Sequence, residues 1–244
     1  LINALEDRKY LMEEKFSMDE VILAHFDRAM MEMPWEAFVE DYLLGELGAK
    51  HVVCGHDFSF GYRGQGTPDK LRRLCAQRGV GVNVVDKVSL GGITVSSTHI
   101  RQLIRQGDME AAAQMLGHRH FLSGEVLHGK ELGRRLGFPT ANLALPEGLI
   151  APAYGVYATL VTLPDGSAHP AVTNVGVRPT VHDQLGRLVE AWILDCTAEL
   201  YGEKIRVEFF TRLRGEKKFD SLEALREEVL RNADETRAYF QNRL

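Results

Sequence analysis

Hydrophobic and polar positions change their period near residue 118. Before it, helical spacing over residues 5–16, 35–47, 68–78 and 97–106 alternates with short apolar runs, VILAHF at 21–26, HVVCG at 51–55 and VNVVDKV at 82–88. Switching between the two periods in βαβ order predicts helices layered on a parallel sheet. A further short helix over 108–116 ends at Gly117, a residue free to take the left-handed stop, and its start at Asp108 suits the positive end of a helix dipole. After residue 118, FLSGEVLHG, GVYATLVTL, HPAVTNVGV, LVEAWILDC and KIRVEFFTRL alternate apolar and polar residues, with turn signals such as PDG between them. That texture predicts an antiparallel barrel, and the helical spacing of residues 221–242 predicts one helix that caps it. The expected division is therefore 1–117, α/β, and 118–244, β-barrel.

The chain has 244 residues, 45% of them hydrophobic, enough for two modest domains each with its own core. The formal charge of −5 arises from 13 basic against 17 acidic residues before Arg119 and 16 against 17 from there on. Neither half carries the bulk positive charge of a nucleic-acid binder, so an anionic ligand must be met by local groups. Three widely separated cysteines, Cys54, Cys75 and Cys196, fit neither a disulfide framework nor a zinc cluster and point to a reduced, cytoplasmic setting. No apolar run approaches the roughly 20 residues of a membrane span.

Candidate chemistry concentrates in GKELGRRLGFPTANL, residues 129–143. Gly129, Gly133 and Gly137 let backbone N–H groups approach an anion, and Thr140 and Asn142 offer hard oxygens of the kind magnesium accepts. The loop is not a Walker A motif, since Pro139 and the ALAL alternation lead into extended chain rather than a helix. A glycine-rich hairpin with two solvated arginines is the plainer alternative.

The second half resembles the riboflavin kinase domain, and the whole chain resembles the bacterial bifunctional riboflavin kinase and FMN adenylyltransferase family. The likeness rests on SGEVLHGKELGRRLGFPTANL, GVYA at 155–158, TNVGVRPT at 173–180, VEAWILD at 189–195, LYGEKIRVEFF and LRGEKKFDSLEAL. In the first half it rests on VVCGHDFSFGYRGQG and TVSSTHIR, the latter similar to the ISSTxIR phosphate motif of nucleotidylyltransferases. The fold implied is a Rossmann-like nucleotidylyltransferase domain, N-terminally incomplete, followed by a small antiparallel Greek-key barrel with a C-terminal helix. In the family the adenylyltransferase opens with a strand and a G-x-F-D-G-x-H-x-G-H loop. This sequence starts past that point and without Met, so the expectation is a truncated sequence or an inert first half.

The resemblance also implies roles. Thr140 and Asn142 would hold the Mg²⁺ that accompanies ATP, and Gly129, Gly133 and Gly137 would fold over the nucleotide with Lys130, Arg134 or Arg135 adding positive charge. Glu190 would take the proton from the terminal ribityl hydroxyl of riboflavin. Asn174, Arg178, Arg214 and Phe219 would contact flavin, with Asp57 near the flavin nucleotide of the adenylyltransferase. Ser97, Thr98 and Arg101 open a helix, where free N–H groups and the dipole favour phosphate, although Ser/Thr capping alone would explain the serines and threonine. The expected activity is ATP-dependent conversion of riboflavin to FMN and, in the complete protein, of FMN to FAD. The alternatives are a kinase with an inert first domain and a non-enzymatic barrel that binds flavin or nucleotide. Riboflavin, FMN and ATP are the expected partners, with no nucleic acid and no membrane, and the oligomeric state is not fixed by the sequence.

Overall fold

The computed structural model describes residues 1–129, 132–146, 148–178, 186–241 and 243. They form two compact units, Glu20–Val95 and a larger one that joins Leu1–Asp19 to Ser96–Leu244. The chain opens in the larger unit with helix α1 (Leu5–Tyr10), which continues through a wider turn, Leu11–Lys15.

The smaller unit contains α2 (Arg28–Glu32), α3 (Trp35–Ala37, extended by Phe38–Glu46), β1 (His51–Gly55), α4 (Pro68–Gln77), β2 (Gly81–Val85) and a hairpin of β3 (Ser89–Leu90) and β4 (Ile93–Thr94). β1 and β2 pair in parallel from His51 opposite Gly81 to Gly55 opposite Val85, with α4 as the crossover, the expected βαβ order. Local sequence explains the helix start: Thr67 accepts from the Lys70 N–H at 3.4 Å and Pro68 needs no amide partner in the first turn. One sheet face, with Val52, Cys54 and Val82, packs on a core of Val39, Phe60, Leu71 and Cys75. The expected strand at 21–26 does not form. Those residues stay irregular, with Phe26 74% exposed, because an apolar run becomes a strand only beside a partner, and β1 and β2 pair with each other.

In the larger unit α5 (Ser97–Gln106) is capped by the Ser96 hydroxyl, which accepts from the His99 N–H at 3.2 Å, and α6 (Met109–Leu116) by Asp108, which accepts from the Ala111 N–H at 3.0 Å. Both helices end on left-handed glycines, Gly107 and Gly117. The two helices pack on each other, and α6 packs on β10. The Ala153 N–H donates to the Ile104 carbonyl at 3.1 Å, and a Cβ at Gly107 would lie 2.7 Å from Cδ of Arg212. The border between compact units thus falls at residues 95/96, whereas the change of hydrophobic period lies near 118.

The barrel consists of β5 (Phe121–Glu125), β6 (Ala141–Ala144), β7 (Gly155–Thr162), β8 (Ala168–Arg178), β9 (Gly186–Ile193) and β10 (Lys204–Arg214), all antiparallel in the order β5-β10-β7-β8-β9-β6. β10 returns beside β7 after the β7-β8-β9 meander, the Greek-key arrangement. The sheet nearly closes on itself where the Leu127 N–H, just past β5, donates to the Asn142 carbonyl on β6 at 2.8 Å. Its interior is lined by Tyr157, Thr159, Ala171, Thr173, Val175, Val189, Ala191 and Phe209, all fully buried. The two threonines satisfy each other, Oγ1 to Oγ1, at 2.6 Å. A short helix α7 (Leu132–Leu136) interrupts the glycine-rich segment, which the sequence reading leaves as loop. Helix α8 (Leu222–Phe240), capped by Ser221, covers the outer face of β7 and β8.

Candidate active site

Five strands contribute one residue each to a single row across the barrel. Arg214 on β10 lies opposite Val156 on β7, Val156 opposite Asn174 on β8, Asn174 opposite Glu190 on β9, and Glu190 opposite Asn142 on β6. Directly opposed residues share a face, and neighbouring strands are about 4.8 Å apart, so groups up to 72 positions apart in sequence, Asn142 and Arg214, meet in one line. Alternation on β9 turns Val189 and Ala191 into the interior and leaves Glu190 and Trp192 on the outer face. The Glu190 carboxylate accepts from Asn174 Nδ2 at 3.4 Å.

Between this row and α8 lies a cavity of about 340 Å³. Val156, Val172, Phe138, Trp192, Phe219, Leu225 and Val229 give it apolar walls, and Thr140, Asn174, Glu190, Arg214, Glu216, Lys217 and Asn232 place polar groups on them. Its size is that of a small-molecule site, with an apolar slot edged by polar and charged groups. The Phe138 and Trp192 rings stand 5.8 Å apart and tilted by 49°. Arg214 is held by Asn232 Oδ1 at 3.0 Å; burial pulls its pKa down, against the opposing pull of Glu228 and Glu235.

The glycine-rich segment borders the same cavity. Asn142 Nδ2 donates to the Thr140 carbonyl at 3.2 Å, which fixes the carboxamide and leaves its oxygen as an acceptor. A Cβ at Gly129 would sit 2.6 Å from that Nδ2, and one at Gly133 would sit 2.5 Å from the Phe138 carbonyl, so both glycines permit close packing around Asn142 and the Phe138 turn. Gly137 ends α7 with φ of 89°, a left-handed stop. Thr140 also borders a second recess of about 70 Å³ with Pro139, Cys196, Glu199 and Tyr201. Arg134 turns toward that side, 3.7 Å from Glu199, and the Tyr201 ring stacks on His128 at 3.9 Å.

The structure thus gathers Glu190, Asn174, Thr140, Arg214 and Phe219 about one cavity, with Asn142 beside Glu190 on the neighbouring strand, Gly133 on the cavity wall, and Gly129 and Gly137 shaping the segment beside it. Arg134 lies by the smaller recess. Ser97, Thr98 and Arg101 sit on the first turns of α5 and do not line this cavity, and the capping role falls to Ser96. Asp57 belongs to the turn after β1 in the smaller unit. Lys130 lies outside the described residues, as does the side chain of Arg178, whose backbone ends β8 opposite Gly186. Sequence reasoning missed Trp192, Phe138, Lys217 and Asn232. Trp192 was within reach, two residues from Glu190 on an alternating strand, but the helix face that carries Asn232 gave no local signal.

Both portions of the chain have relatives among known proteins. The riboflavin kinase family model matches residues 116–240 and the FAD synthetase model residues 1–99. The bifunctional riboflavin kinase/FMN adenylyltransferase of Listeria monocytogenes is 34% identical over 239 residues, 98% of this chain and 75% of its own length. That of Bacillus subtilis is 33% identical over 248 residues, 99% of this chain and 76% of its own. A crystal structure described as a macrolide-efflux protein from Streptococcus pneumoniae superposes with a TM-score of 0.84 at 30% identity, over 97% of this chain and 75% of that one. Both family models and relatives of more than 30% identity over nearly the whole chain place it in the bifunctional riboflavin kinase/FMN adenylyltransferase family.

Proposed function

We propose that the protein phosphorylates riboflavin to FMN with ATP at the cavity under α8, and that its first portion takes part in joining FMN to AMP to give FAD. The observation that carries the kinase reading is the Asn174–Glu190–Asn142 row at the edge of an aromatic cavity. A planar tricyclic ring fits between apolar walls that include Trp192, Phe138 and Phe219, and its ribityl chain then reaches toward Glu190. Glu190 accepts the proton of the terminal hydroxyl as that oxygen attacks the γ-phosphorus and the bond to the bridging oxygen breaks to release ADP, and Asn174 holds the carboxylate by its hydrogen bond. ATP approaches from the Thr140 side, with its base toward the recess beside Tyr201 and with Arg134 near its phosphates.

Phosphoryl transfer asks the protein mainly for positioning and charge neutralisation. The donor set suits Mg²⁺: the Thr140 hydroxyl and the Asn142 carboxamide oxygen are hard oxygens on one short strand segment, and the Asn142 amide nitrogen is already engaged elsewhere. When bound there with ATP, the ion would neutralise charge on the β- and γ-phosphates. Thr140 and Asn142 would hold it, and the absence of a Cβ at Gly129 leaves Asn142 in the required place.

The functional division follows residues 1–117 for adenylyl transfer and 118–244 for the kinase. Ser97, Thr98 and Arg101 would meet phosphate at the start of α5, Asp57 would lie near the flavin nucleotide, and Lys130 and Arg178 would serve ATP and flavin respectively. Three free cysteines suit a cytoplasmic enzyme, and no described helix is long and apolar enough to cross a membrane. The partners are riboflavin, FMN and ATP rather than nucleic acid.

The test is direct. The protein is incubated with riboflavin, ATP and Mg²⁺ and the products are separated by chromatography, beside Glu190→Gln. FMN from the parent and a large loss in the variant are expected; no FMN from the parent would sink the kinase reading. FMN and ATP supplied together, with FAD as the readout, test the second activity.

A further inference from the structure

A single carboxylate behind the cavity wall gathers three cations. Glu228 on α8 is 8% exposed and does not line the cavity. Its Oε1 lies 3.5 Å from Arg214 Nε, and its Oε2 lies 3.3 Å from Lys217 Nζ and 3.5 Å from an Arg231 nitrogen. Arg214 and Lys217 both line the cavity and both stand over the Phe219 ring, 5.6 and 5.4 Å from its centroid. The segment from Arg214 to Phe219 contains no helix or strand beyond the end of β10, so its shape depends on such ties. Asn232, one turn further along α8, accepts from Arg214 Nε at 3.0 Å, and the Gly215 carbonyl accepts from Arg214 Nη1 at 3.1 Å.

We propose that Glu228 is a positioning residue for the flavin: it draws Arg214 and Lys217 together so that the Arg214–Phe219 segment stands as a fixed wall of the cavity. The inference rests on the reading of that cavity as the flavin site. Without the negative charge, three cations crowd one another across a few ångströms, and the segment relaxes outward and carries Phe219 with it. Flavin affinity then falls, while Glu190, Thr140 and Asn142, on β9 and the β6 segment, keep their places. The low pKa of Glu228, caused first by the Lys217 hydrogen bond, is consistent with a permanently ionised anchor.

Riboflavin binding, read by quenching of flavin fluorescence, and steady-state kinetics are compared for the parent, Glu228→Gln, Lys217→Gln and the double variant. Glu228→Gln is expected to raise the riboflavin Kd and KM about tenfold, with kcat and the KM for ATP within about twofold. Lys217→Gln alone should raise them less, and the double variant should fall short of the sum of the singles, since the two groups act on each other. An unchanged Kd in Glu228→Gln, a loss confined to kcat, or full additivity in the double variant would overturn the proposal. A melting curve guards against gross unfolding of Glu228→Gln, and Lys217→Gln, exposed and milder, then carries the test. If the parent itself fails to bind riboflavin, the flavin reading falls and the inference with it, an outcome distinct from a parent that binds beside an indifferent variant.

Discussion

Asn174 and Glu190 face each other across neighbouring strands, and the carboxamide of the first donates to the carboxylate of the second at 3.4 Å. The bond ties the half-buried carboxylate to β8, while the other neighbour of Glu190 across the sheet is Asn142 on β6. Glu190→Gln, which keeps the shape and removes the base, should lower kcat for riboflavin phosphorylation by about 10²–10⁴-fold with the riboflavin KM little changed. Asn174→Ala should cost about tenfold in kcat. Equal losses in both variants would show that Asn174 does more than aim the carboxylate.

Gly129 is pressed against the Asn142 side chain. A methyl group there would sit 2.6 Å from Asn142 Nδ2 and 3.0 Å from its Cγ, and Asn142 cannot retreat freely because it is 94% buried and bonded to Thr140. Gly129→Ala is therefore expected to raise the KM for Mg-ATP by about tenfold while riboflavin binding stays close to the parent value, measured by initial rates at varied ATP and by flavin fluorescence.

Removal of the two hard oxygens tests the metal reading separately. Thr140→Val and Asn142→Leu keep volume and delete the ligand atoms. Each should shift the Mg²⁺ concentration for half-maximal kinase rate upward by about 10–100-fold, by analogy with the cost of losing a strong polar contact. An unchanged magnesium titration in both would contradict the assignment.

His120 is fully buried beside Phe209, neither ring nitrogen has a hydrogen-bond partner among the described residues, and burial, reinforced by nearby His118, lowers its pKa to about 3 from 6.5. The folded protein therefore keeps it neutral where the unfolded chain would already be protonated. Its contribution to stability is complete above about pH 6.5 and is lost progressively as pH falls toward 3, because the unfolded state binds the extra proton in that window. The slope is about 1.4 kcal/mol per pH unit for this one group. Urea unfolding at several pH values, for the parent and His120→Phe, should show a shallower loss in the variant between pH 6.5 and 4.

Helix positions were legible wherever caps and period agreed. Ser96, Asp108, Thr67 and Ser221 each cap the helix that follows, and Gly107 and Gly117 stop theirs. The barrel strands were legible from alternation, and β1 and β2 from their apolar runs. The run at 21–26 had the same composition but found no partner, and pairing is a property of neighbours that local sequence does not carry. The α5–α6 pair likewise joined the barrel through a close approach at Gly107 that no periodicity announces.

At the site, residue order alone carries the chemistry on offer: a glycine-rich segment with two hard oxygens, a lone carboxylate on an alternating strand, and motifs that resemble a known family. These are local facts of residue type and spacing. Which of them meet is set by strand pairing and helix packing. The antiparallel register set Asn142, Glu190, Asn174 and Arg214 in one row, and the packing of α8 enclosed that row with Trp192, Phe219 and Asn232. Hydrogen-bonded register aligns residues by their partners across strands, not by their distance along the chain, which is why residues spread over 72 positions fall in a single row.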